Sequence, residues 1–162
     1  MKLYRLCGSA HADKLDGTGA ALRRGGARWN APGVPMIYCA EHRSLAFAEV
    51  LAHFKEMSRF PRNYVFVTYN VSGSKGIRRP DPGSLPSDWN SYGPPYVRSA
   101  QGFGSAFVAS NDLLLRVPSV VIPHEWNYLM NPNAVAGRVT IEAIEPFVVD
   151  SRYDVFIPKP TP

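Results

Sequence analysis

Strands that mostly follow one another, with few helices between them, predict an α+β fold for this chain rather than a parallel α/β sheet. Two observations carry that expectation. Tyr64–Val71 (YVFVTYNV) alternates with period two and is built of β-branched and aromatic residues, the pattern of a strand. The segment after Ser44, by contrast, is a run of good helix formers with Leu45, Ala48 and Ala52 on one apolar stripe. A length of 162 residues suits one domain with one sizeable core. The expected architecture is a single domain of mixed or antiparallel sheets with a few helices. Its 15 prolines and 13 glycines predict many turns.

Taken in order, Lys2–Cys7 alternates loosely and reads as an opening strand. The DGTG within His11–Arg24 predicts a loop, and its glycine spacing does not fit a dinucleotide-binding fingerprint. NAPGVP (Asn30–Pro35) is turn chemistry, followed by a short strand at Met36–Cys39. Ser44 is a plausible N-cap for a helix over Leu45–Met57, closed by Pro61. Beyond the Tyr64–Val71 strand, Ser72–Pro95 is a long loop with five prolines, a length usually reserved for function or mobility. Arg98–Ala109 predicts a helix weakened by Gly102 and Gly104. Leu113–Val117 predicts a strand continued by Ser119–Ile122, WNYLMNP (Trp126–Pro132) an ordered loop, and Val139–Ile144 and Phe147–Val149 two closing strands. The tail after Tyr153 is proline-rich and expected to fray.

The net charge of +5 comes from arginine, 13 residues against 5 lysines. Arginine grips phosphates and carboxylates bidentately, so nucleic acid, a nucleotide and an acidic protein all remain open as partners. Arg23-Arg24 and Arg78-Arg79 are only pairs, and a solvated basic face accounts for them equally well. Cys7 and Cys39 have no metal or disulfide spacing and read as small buried hydrophobes. His11, His42, His53 and His124 show no metal-ligand spacing, so no metal is expected. No signal peptide and no membrane span is legible, which predicts a cytoplasmic protein.

The chemistry concentrates in Gly25–His53, GGARWNAPGVPMIYCAEHRSLAFAEVLAH. Arg28 beside Trp29, after two glycines, can offer a guanidinium and backbone N–H groups to a diphosphate; it can equally be a surface arginine stacked on tryptophan. Tyr38 is either a core ring or a platform for a flat ring. Glu49 has Leu45, Ala46, Ala52 and His53 as helical neighbours. It is therefore either solvated at the edge of the stripe or buried for a purpose, since burying an unpaired carboxylate is costly. Ser119 lies in no GxSxG motif, which argues against a hydrolase nucleophile.

Four fragments in order, GGARWN with its PG turn, IYCAEHRSLAFAEVLAH, LLLRVPSVVIPHEWNYLMNP and PFVVDSRYD, resemble the RES domain from Tyr4 to about Asp154. The resemblance places the domain at 1–154 and leaves 155–162 as a C-terminal tail. It implies a fold similar to that of ADP-ribosyltransferase toxins and a bacterial toxin partnered by an Xre-type antitoxin. It also implies a homodimer within a larger complex, with DNA reached only through the antitoxin. NAD would be a substrate rather than a cofactor, cleaved at the nicotinamide–ribose bond with water or phosphate as acceptor, or with ADP-ribose passed to a protein. By position, the family's arginine, glutamate and serine are Arg28, Glu49 and Ser119, and its pocket tyrosine is Tyr38. Trp29, Asn127 and Asn131 join Arg28 and Tyr38 as expected substrate contacts.

Those residue types fit the chemistry. Glycosyl-bond cleavage passes through an oxocarbenium-like sugar, which a carboxylate such as Glu49 can stabilise, while Arg28 holds the diphosphate. Tyr38 would pack on the nicotinamide or its ribose, and Ser119 would hydrogen-bond the amide or ribose. Two departures from the family pattern stand out: Ala27 intervenes between the glycine pair and Arg28, and Asn133-Ala134-Val135 replaces the histidine common after the NP pair. Two other readings compete: a basic nucleic-acid-binding module or RNase toxin, and a catalytically silent domain that only binds an antitoxin.

Overall fold

The computed structural model describes residues 1–19, 25–54, 60–91 and 98–155. Seven strands alternate with loops and two α-helices among these residues. They are β1 (Lys2–Gly8), β2 (Ile37–Ala40), β3 (Tyr64–Val71), β4 (Ile77–Arg78), β5 (Leu114–Pro118), β6 (Trp126–Met130) and β7 (Val139–Pro146). The helices are α1 (Arg43–Leu51) and α2 (Arg98–Val108). One sheet takes all seven strands in the order β4-β5-β6-β2-β1-β3-β7. Every neighbouring pair is antiparallel except the short parallel pair β4–β5, so the expected mixed α+β class is what forms.

Because successive side chains of a strand point to opposite faces, the pleat sorts the apolar residues into two layers. On one face Leu3, Cys7, Ile37, Cys39, Val67, Tyr69, Leu114 and Met130 form a continuous core. On the other, Leu6, Ala40 and Phe66 receive Leu45 and Ala46 of α1. Further along that second face, Leu115, Val117 and Leu129 receive Ala100 and Phe107 of α2 together with Trp29. The two helices thus cover different parts of one face, with β2 and β6 in the centre of the sheet.

The structure corrects several local expectations. WNYLM is not a loop but β6, paired with β5 from Leu114↔Met130 to Pro118↔Trp126 and with β2 from Ile37↔Met130 to Ala40↔Asn127. Its amide residues read as turn formers, yet Leu129 and Met130 are fully buried and demand a central position. Ser119–Ile122 does not prolong β5: the Ser119 hydroxyl accepts the N–H groups of Val121 (3.1 Å) and Ile122 (2.9 Å), which bends the chain. α1 starts at Arg43 after an extended His42 that makes no side-chain cap, so Ser44 lies inside the helix.

That helix ends at Leu51, and residues 55–57 of its expected extension lie outside the described residues. The long loop contains β4 and a 3₁₀ turn at Pro82–Ser84 capped by Asp81; its residues 92–95 also fall outside, as does the tail from 156. Phe147–Val149 forms no strand of its own: the Phe147 N–H donates to the Tyr64 carbonyl at 3.1 Å just past the end of β7, and its ring packs against Phe47, Phe60 and Phe66 at centroid distances of 5.0 to 5.8 Å. Among the described residues no helix is long and apolar enough to cross a membrane, and no group of three or more His, Cys, Asp and Glu is placed to hold a metal ion.

Candidate active site

The carboxylate of Glu49 projects from α1 and is partly buried. Its Oε1 accepts a hydrogen bond from the Ser119 hydroxyl at 2.7 Å and a second from the Asn127 side-chain amide. The direction of the first is fixed by local geometry. Because Val121 and Ile122 N–H groups already donate into Ser119 Oγ, its proton is left for Glu49. Ser119 is held in turn by its own N–H, which donates to the Glu125 carbonyl at 2.9 Å, and is only 5% exposed. Both donors converge on one oxygen, so Oε2 receives no hydrogen bond from the described residues and stays available as an acceptor.

A second group forms around the glycine-rich turn. Ala27 N–H donates to the Asn30 carbonyl at 3.0 Å, closing a tight loop with Arg28 and Trp29 at its tip. Gly26 is required there: its φ is +84°, and a Cβ would lie 2.2 Å from the Asn30 oxygen. The Tyr38 hydroxyl, reaching up from β2, donates to Asn30 Oδ1 at 2.6 Å and accepts from the Trp29 N–H at 3.2 Å. The Gln101 amide of α2 donates to the Ala27 carbonyl at 3.0 Å, and Ser105 Oγ accepts the Ala31 N–H at 2.9 Å. Arg28 Nη1 donates to the carbonyls of Trp89 (2.7 Å) and Ser91 (2.8 Å), tying the long loop to the turn.

The two groups meet on the sheet. Tyr38 pairs with Leu129, and Ala40 pairs with Asn127, so Tyr38 and Asn127 are diagonal neighbours on one face, about 7–8 Å apart at the backbone. One side of this diagonal leads to Asn30 and the Arg28 turn; the other leads to Glu49 and Ser119. A phenol, an amide, a hydroxyl and a carboxylate therefore lie along one stretch of sheet, with the Arg28 turn joined to its Tyr38 end.

Not every expected contact takes the role foreseen for it. Trp29 is 3% exposed, stacked on Trp89 at 5.9 Å and tilted against Phe103 at 6.2 Å, so it is a packing residue rather than a ligand platform. Asn131 is fully buried: its amide donates to the carbonyls of Val108, Ser110 and Asp112 at 2.9 to 3.2 Å, and Oδ1 accepts the Asn133 N–H. It pins the end of α2 to the end of β6 instead of reaching a substrate. Asn127, expected on the substrate, is a partner of Glu49. Asn30 and Gln101 were not foreseen as parts of the site, since nothing in their local spacing marks an amide that closes a turn.

The description "RES domain" fits a family model that matches residues 2–150. The chain is 37% identical over 124 residues to a Sphingobium sp. (strain YBL2) protein named Prs ADP-ribosylating toxin, covering 75% of this chain and 74% of that protein. It is 34% identical to Toxin Res of Photorhabdus laumondii, covering 94% of this chain and 96% of that one. Among solved structures, a chain of the M. tuberculosis MbcT–MbcA toxin–antitoxin complex superposes with a TM-score of 0.68, at 21% identity over 90% of this chain and 83% of the other. That likeness concerns the fold. A match across nearly the whole chain, with curated relatives above 30% identity along the same length, means that the chain belongs to the RES domain family.

Proposed function

We propose that this RES domain is the toxin of a bacterial toxin–antitoxin pair, acting on NAD by cleaving its nicotinamide–ribose bond. The observation that carries the chemistry is the carboxylate of Glu49, oriented through one oxygen by Ser119 and Asn127 with the other left to a ligand. As nicotinamide departs, positive charge develops on the ribose. A fixed carboxylate aimed at that charge is worth more in the transition state than in the ground state, and it needs no reorganisation when the charge appears. Ser119 and Asn127 act in this scheme by holding Glu49.

Arg28 supplies the charge for the diphosphate, and Tyr38 sets the turn on which Arg28 sits. NAD is consumed as substrate. Water or phosphate as acceptor is the leading reading; the name of the 37% identical relative favours protein ADP-ribosylation as the second. The toxin–antitoxin complex seen for the fold neighbour supports an antitoxin partner here. An Xre-type antitoxin and a toxin homodimer within the complex complete the proposal.

The test is to incubate purified protein with NAD, with and without phosphate, and quantify free nicotinamide. Release in either condition is the expected result. No release in both, together with no labelled ADP-ribose on any lysate protein when labelled NAD is supplied, would overturn the reading.

A further inference from the structure

A cavity of about 500 Å³ opens between α2 and the β4–β5 edge of the sheet. Its lining includes Phe103, Ala106 and Phe107 of α2, Leu115 of β5, and Arg79 and Ser84 of the long loop. None of Arg28, Tyr38, Glu49, Ser119 or Asn127 contributes to it. The volume lies in the range that takes small organic ligands, roughly 300–1,000 Å³.

The floor is apolar: Phe107 and Leu115 are each 2% exposed. The mouth carries two guanidinium groups with different commitments. Arg78, also at the wall, is paired through Nε with Asp112. Arg79 has neither a hydrogen bond nor an ion pair among the described residues. Arg79 is exposed at the rim, and its planar guanidinium fork matches a carboxylate or phosphate.

We propose that this cavity is a second ligand site, separate from the Glu49 site, for a small amphiphilic anion. Its apolar body packs against Pro80, Phe103 and Ala106, over the buried Phe107 and Leu115, and its single carboxylate or phosphate group pairs with Arg79. The site has a structural link to the Arg28 turn. Phe103 lines the cavity and packs on Trp29 at 6.2 Å, and the next residue, Gly104, lies so close that a Cβ would meet the Trp29 carbonyl at 1.9 Å. A ligand pressed against Phe103 therefore bears on the residue adjoining Arg28.

The test compares three probes by calorimetry on the whole protein: 3-phenylpropionate, phenyl phosphate and the uncharged 3-phenylpropionamide. At least one anion is expected to bind tenfold or more tightly than the amide, and the better of the two identifies the head group. Arg79→Ala should bring the anion down to the affinity of the amide. Ala106→Trp, at an exposed helix position, should fill the hollow and abolish binding of all three while leaving the melting temperature within a few degrees. Equal binding of anions and amide, no binding of any probe at millimolar concentration, anion preference surviving Arg79→Ala, or binding surviving Ala106→Trp would each overturn the proposal. None of these readouts depends on NAD turnover, so the site stands or falls apart from the proposed activity.

Discussion

Replacing Glu49 by glutamine separates the charge of this side chain from its shape. The glutamine carbonyl oxygen can still accept the Ser119 hydroxyl and the Asn127 amide, the two bonds that orient the native carboxylate. Losing charge assistance weakens each bond by about 0.5–1.5 kcal/mol. Removing a half-buried negative charge returns part of its desolvation cost. The net change in stability should therefore stay within about 1–2 kcal/mol. Catalysis should respond far more strongly. Deleting a preorganised electrostatic partner of the transition state typically costs about 2.7–4 kcal/mol, or about 10²–10³ in kcat.

The assay is initial-rate nicotinamide release over a range of NAD concentrations, with a urea melt on the same preparation. A drop in kcat with KM changed less than threefold assigns Glu49 to the transition state. Full turnover in a folded Glu49→Gln protein would refute the role given to this residue, even if NAD cleavage itself were confirmed.

Four further outcomes follow from other residues. Ser119→Ala removes the acceptor of two backbone N–H groups as well as the donor to Glu49; it should lose about 2–4 kcal/mol in urea unfolding, with a smaller fall in kcat than Glu49→Gln because Asn127 still holds the carboxylate. Within α2, Gly102→Ala meets nothing within 4 Å and should gain up to about 1 kcal/mol of helix stability. Gly104→Ala, two residues on, drives a Cβ into the Trp29 carbonyl and should lose several kcal/mol while moving the Arg28 turn, both read from the same urea titration. Burial pushes the Cys39 thiol from an ordinary 9.0 up to about 12 against the opposing pull of Arg5, and burial likewise raises Tyr69. Groups raised in the folded state contribute stability that is intact below their unfolded values and lost as pH rises. Unfolding free energies from urea melts should therefore fall from pH 9 towards pH 12, by up to about 1.4 kcal/mol per pH unit for each such group, and Cys39→Ala should flatten that fall.

The strands whose own residues alternate were legible in the sequence: β1 and β3 lie within a residue of where periodicity puts them. β6 was not, because Asn127 and Asn131 carry turn preferences that only the buried pairing with β2 and β5 overrides. A similar limit applies to the site. Arg28, Tyr38 and Glu49 fall in one segment whose composition already offers a cation, a ring and a carboxylate. What orients Glu49 comes from Ser119 and Asn127, 70 and 78 residues further on. Contacts of that range leave no local spacing to read. The buried amides Asn30 and Gln101 escaped notice for a related reason, since each is defined by the backbone group it satisfies rather than by its neighbours in the chain.

The same contacts show what the chain does at the two positions where it departs from the pattern that the resemblance implies. Ala27, the residue between the glycine pair and Arg28, has both backbone groups engaged: its N–H closes the turn on Asn30, and its carbonyl takes the Gln101 amide. The turn is thus tied at Ala27 to α2, at Asn30 to Tyr38, and at Arg28 to the long loop, so Ala27 serves as an anchor for the guanidinium. At the other position, Ala134 and Val135 pack into the core built on Leu3, Ile37 and Val67. That core lies on the face of the sheet opposite α1, and hence opposite Glu49. Apolar residues at 134 and 135 add to packing on the far side of the sheet and leave the surroundings of the carboxylate unaltered.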